Sequence, residues 1–89
     1  MARFEMSGAE TAFMAEIAPS VESLFELGIC YATGREGATD LVAAHKWFNL
    51  AAMRGNSEAV THRQELAREM SPRDSAEAQR AAREWLSKH

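Results

Sequence analysis

Cysteine is almost missing from this chain. Cys30 is the single one in 89 residues, so no disulfide can form within it and a reducing compartment suits it best. Prolines number only two, Pro19 and Pro72, and three valines and two isoleucines leave little material for strands. No apolar run approaches the ~20 residues of a membrane span. The first nineteen residues contain Glu5, Glu10 and Glu16 and no continuous apolar stretch, so they do not read as a secretory signal. A cytoplasmic location is therefore expected. There is also no surplus of positive charge: the net charge of −3 argues against a dominant electrostatic role on DNA or RNA.

What is present favours helices. Alanine is abundant, and 46% of residues are apolar, the proportion of an ordinary globular domain. The length suits one domain. Charge is uneven along it. Residues 1–52 carry three Lys/Arg against seven Asp/Glu, a net of −4, and residues 53–89 carry seven against six, a net of +1.

Apolar spacing and capping residues predict five helices. Ser7 and Glu10 form a capping-box pair ahead of Phe13, Met14 and Ile17, which predicts a short amphipathic helix over 8–18, ended by Pro19. Ser20 caps a helix over 21–33 with the inner stripe Leu24, Leu27, Gly28 and Tyr31. Gly28 costs this helix about 1 kcal/mol of propensity, a cost usually offset by the close approach of a second helix. Gly34 and Gly37 break the helix, and Asp40 caps the next, over 41–53, with the stripe Ala44, Trp47, Phe48 and Ala51. Gly55 stands where a left-handed residue would end that helix, and Asn56 caps the following one at once. That helix runs to about residue 69, with Ala59, Val60, Leu66, Ala67 and Met70 as its apolar set. Ser71, Pro72 and Asp74 read as cap, first-turn proline and capping acid of a last helix over 73–87, striped by Ala78, Ala82, Trp85 and Leu86. The expected fold is all-α: a tail and short helix in 1–19, then a single domain of stacked antiparallel hairpins in 20–89.

One stretch carries a pattern beyond periodicity. Ser23, Leu27, Gly28, Tyr31 and Gly34 lie on the first helix of a pair, Asp40 ends the turn, and Ala44, Trp47, Ala51, Ala52, Gly55 and Ala59 follow in register. Residues 23–59 thereby resemble a Sel-one-like repeat, a branch of the tetratricopeptide-type α-solenoids. The turn departs from the family, which has its second glycine two residues after the first; here Arg35 and Glu36 follow Gly34 and the glycine is Gly37. A second copy fails, because Arg63, Ala67 and Met70 stand where leucine, tyrosine and glycine would be. The resemblance implies a full repeat over 20–56 and a degenerate capping hairpin over 57–89, since the end of a solenoid needs a closing unit. It also implies a protein–protein interaction module without catalysis or cofactor, whose first helix lines a concave face. On that helix Glu22, Phe25, Glu26, Ile29 and Thr33 are the candidate partner-binding residues, accepting a helix or tail of another protein. The acidic first half favours a partner with some positive charge.

Other chemistry is weaker. His45, His62 and His89 include no pair at i, i+4 with an acid between, so no zinc-helix motif exists and no metal is expected. Cys30 and His45 could meet across the hairpin as an accessory thiol or metal pair, the alternative reading from another class. The turn Gly34–Gly37 with Lys46 beyond it lacks the ending of a phosphate loop. Arg63, Arg68, Arg73, Arg80 and Arg83 alternate with Glu65, Glu69, Glu77 and Glu84, the mark of a solvated face more than of a nucleic-acid patch; weak nucleic-acid binding through these Arg-rich C-terminal helices is the third reading. The first helix, with Phe13, Met14 and Ile17, is too short to be stable alone. It is expected to dock on its own chain, giving a monomer, or on a second copy, giving a swapped dimer.

Overall fold

The computed structural model describes residues 20–35 and 37–88. Within them the chain forms four helices: α1 (Val21–Thr33), α2 (Leu41–Met53), α3 (Ser57–Glu69) and α4 (Pro72–Lys88). No described residue is in a strand. The all-α expectation holds, with the boundaries of the second to fourth expected helices met and the last one residue longer at each end. The helix expected over 8–18 lies outside the described residues, so four helices stand where five were expected.

Each helix starts where a side chain can replace the missing turn. The side-chain oxygens of Ser20, Asp40, Asn56 and Ser71 accept hydrogen bonds from the amides of Ser23, Ala43, Ala59 and Asp74 at 3.0, 3.1, 2.9 and 3.0 Å. The first two helices stop at glycines, and α3 stops at Met70, whose amide donates to the Leu66 carbonyl. Gly34 has φ +71°, and its amide and that of Arg35 both donate to the Cys30 carbonyl. After α2 the Gly55 amide donates to Ala52 and the Asn56 amide to Ala51, at 3.0 and 3.1 Å, with Gly55 at φ +105°. Gly55 thus has the positive φ that the absence of any spare linker residue requires.

The architecture centres on α2. It packs against α1, α3 and α4, whereas α3 and α4 make little contact with each other. This explains its burial pattern: Ala44, His45, Trp47, Phe48, Leu50 and Ala51 are all buried, more than one stripe of a two-helix contact would cover. Against α1, Phe48 lies over Gly28 in place of a side chain; a Cβ on Gly28 would fall 2.5 Å from the Phe48 ring. The same ring lies 5.6 Å from Phe25 and is stacked on His62 of α3 at 5.0 Å, so one aromatic seam joins three helices. On the side facing α4, Trp47 meets Trp85 edge to face at 6.0 Å, with the Lys46 ammonium 4.3 Å from the Trp47 ring centre. Small residues let the outer helices approach: Ala59 of α3 and Ala78 and Ala82 of α4 are buried.

The stripes read from sequence hold on α2 and weaken outward. Tyr31 packs on the core but is only half-buried. On α3, Val60, Leu66 and Met70 are half-buried and Ala67 is exposed, and on α4 Leu86 is exposed. The reason is geometric: α3 and α4 each lean mainly on α2, so only a narrow line of each is covered.

Two substitutions probe this core. Gly28→Ala gains helix propensity but drives a methyl group into a fully buried ring, and the net effect expected is a loss of about 1–3 kcal/mol, read from the midpoint of denaturant unfolding. Trp47→Ala removes the contact with Trp85 and opens a cavity, with an expected loss of about 3–5 kcal/mol. That is comparable to the whole stability of many small domains. A cooperative melt little changed by it would mean that the Trp47–Trp85 contact does not hold α4 in place.

Candidate functional site

Two surfaces present side chains with something to recognise. The first is the outer face of α1. Ile29 and Phe25 are half-buried, packed against the core while keeping part of their surface outside, and Glu22, Glu26 and Thr33 around them are exposed. Phe25 is the most committed to the fold, since besides Phe48 it meets His62 edge-on at 5.4 Å. Two of the polar members already have intrachain contacts. The Thr33 hydroxyl donates to the Ile29 carbonyl at 2.8 Å, and Glu26 lies 3.6 Å from Arg35 in an exposed pair. Such a pair contributes little to stability, so both of its groups remain free to exchange partners.

The repeat-signature residues fall into two structural roles. Leu27, Gly28, Ala44, Trp47, Ala51 and Ala59 are buried, while Gly34 and Gly55 provide positive-φ turns and Asp40 caps α2. The Asp40 amide also donates to the Tyr31 carbonyl at 2.9 Å, tying the start of α2 back onto α1. Ala52 and Tyr31 are half-buried at the margin of the core.

The second surface is a groove of about 500 Å³ where α3 and α4 diverge over α2. It is lined by His45, Asn49 and Met53 of α2, Arg63, Gln64 and Ala67 of α3, and Gln79 and Arg83 of α4. The Arg63 guanidinium donates to Asn49 Oδ1 at 2.7 Å. Met53 is 59% exposed, a large apolar side chain open to solvent. His45 is only 3% exposed, and its Nδ1 has no hydrogen-bond partner among the described residues. Burial, and then the nearby Arg63 charge, hold its imidazole below the usual value, and its own backbone pulls the other way without forming a well-aligned hydrogen bond.

Sequence reasoning missed this groove. Arg63 and Arg83 looked like members of a mixed solvated face, and His45 was of interest only beside Cys30. A signal existed: Asn49 and Arg63 stand at equal sequence distances on either side of Asn56, so a tight antiparallel turn there brings them opposite one another. Cys30 is half-buried on α1, and no residue of that helix lines the groove. Among the described residues no cluster of three or more His, Cys, Asp or Glu is arranged to hold a metal, and no helix is long and apolar enough to cross a membrane.

No family model, no curated protein and no solved structure matches the chain.

The lowered native value of His45 has a consequence for stability. The unfolded chain keeps the ordinary value near 6.5, so below that pH it takes up a proton that the folded protein refuses. With respect to this group, stability is level above about pH 6.5 and falls as the pH drops toward the native value, by up to about 1.4 kcal/mol per pH unit. His45→Leu should lose that slope. Denaturant midpoints of both proteins at about pH 7.5 and about pH 5 will measure it, and equal slopes would mean that His45 is protonated as readily folded as unfolded.

Proposed function

We propose that residues 20–89 form a Sel-one-like repeat unit that serves as a protein–protein interaction module, an adaptor or regulatory protein without catalysis. In this reading 20–56 is the full repeat and 57–89 its degenerate cap. The observation that carries the reading is the pairing of α1 and α2 through Phe48 on Gly28, flanked by the two positive-φ glycines, Gly34 and Gly55. This is the construction that a repeat built for close helix stacking needs, and the chain invests its signature residues in it.

The binding surface is the outer face of α1. Phe25 and Ile29 supply apolar anchors and Glu22 and Glu26 supply negative charge, a combination that suits a basic amphipathic helix or tail. The chain acts as a monomer or as a swapped homodimer, according to where residues 1–18 dock; that segment lies outside the described residues. The reading with Cys30 and His45 as a thiol or metal pair draws no support from the groove, whose lining comes from α2, α3 and α4.

The test is affinity capture from cells that express the protein, comparing wild type with a Glu22→Lys, Ile29→Glu variant. Proteins retained by wild type are expected to be lost from the variant, which loses some stability with the half-buried Ile29 but still melts cooperatively. Retention of the same set by a folded variant would remove the α1 face as the binding surface.

A further inference from the structure

We propose that the groove between α2, α3 and α4 is a second binding site, independent of the α1 face, that takes an acidic segment of a partner polypeptide, with a carboxylate held by Arg63 and Arg83 beside an apolar side chain resting on Met53. Three observations carry this. Two arginines from different helices line one opening, and no carboxylate among the described residues forms an ion pair with either, although Glu26 and Glu77 find Arg35 and Arg80 elsewhere. Arg63 is held in place by Asn49 through a single hydrogen bond, which leaves the rest of its donor fork for a ligand. His45 brings a 3% exposed imidazole to the same lining with Nδ1 unpartnered, and a buried polar atom of that kind normally has a partner. A polypeptide that displaces the side chains covering Nδ1 as it binds can supply it through a main-chain amide or carbonyl, because a neutral imidazole nitrogen either donates or accepts.

The rest of the lining fits the same occupant. Gln64 and Gln79 each offer a donor and an acceptor to a peptide backbone, from opposite walls. Met53, at 59% exposure, and Ala67 give an apolar ledge next to the two cations. Methionine and arginine are enriched in protein interfaces, and methionine adapts to irregular partners. The volume of about 500 Å³ matches a few side chains. The groove is thus opposite in charge to the α1 face, and the two surfaces select different partners.

The test is an unbiased selection. A library of random dodecapeptides displayed on phage is panned against the full chain, then against Arg83→Gln, Arg63→Gln and an Arg80→Gln control. Arg83 and Arg80 are both exposed on α4, so these two substitutions leave the core intact. Enriched peptides are expected to carry Asp or Glu next to an apolar residue, and their Kd should rise about tenfold or more with Arg83→Gln or Arg63→Gln. Arg80→Gln should leave Kd within about twofold, and the His45 ring signals in an NMR titration should move on binding. Enrichment of peptides without acidic residues, no enrichment at all, equal loss with Arg80→Gln, or full displacement by inorganic phosphate would each overturn the proposal. The last outcome would make the groove a small-anion site. Because Phe25 and Ile29 are not involved, peptides that still bind the Glu22→Lys, Ile29→Glu variant separate this site from the α1 face.

Discussion

The contact on which the rest of the structure depends is the Phe48 ring lying directly on the backbone of α1 at Gly28. A side chain of any size at residue 28 would push α1 away from α2, because the space a Cβ would need is already filled by the ring. The close approach has further effects. It lets Leu24 and Leu27 bury fully against α2, and it fixes the Phe48 ring so that Phe25 and His62 can pack around it. A single glycine, unfavourable for an isolated helix, thereby sets the distance from which the aromatic seam is built. The stabilisation comes from apolar burial that would be lost if the helices stood further apart.

From that contact it follows that α2 is a hub. Once Phe48 commits one side of α2 to α1 and α3, Trp47 is directed to the other side, where Trp85 meets it. The outer helices α3 and α4 are then held by separate faces of the same helix and diverge from one another. Their divergence leaves the groove, with His45 buried in its lining. The buried imidazole and the open groove therefore have one cause: a helix contacted on three sides by partners that do not close over its fourth.

The local signals were almost fully legible. Ser20, Asp40, Asn56 and Ser71 marked every helix start in the described chain because capping is a short-range interaction between a side chain and an amide three residues on. Gly34 and Gly55 marked helix ends for the same reason. The α2 stripe of Ala44, Trp47, Phe48 and Ala51 was legible because it combines bulk and small residues at helical spacing. Less legible was how far burial extends around each helix. Leu50 and His45 are buried although they lie off that stripe, and Val60, Leu66 and Leu86 keep surface although they lie on theirs. Periodicity gives the direction of an apolar face but not the number of neighbours it will meet.

What the sequence determined by itself is the set of elements: an all-helical domain, the limits of its described helices, its turns, and the need for a close approach at Gly28. The elements rest on interactions reaching at most a turn of helix, between residues close in the chain, while the close approach is signalled by a glycine inside a helix that would otherwise be a cost. What only the tertiary structure decided is which surfaces remain. Whether Trp85 would meet Trp47, whether Arg63 would face Asn49, and whether α3 and α4 would close on each other or part depend on the angles at which three helices cross a fourth. Those angles arise from the packing of all the side chains together. The groove belongs to that second category, since it is the space that packing left open, and so does the burial of His45 in its lining.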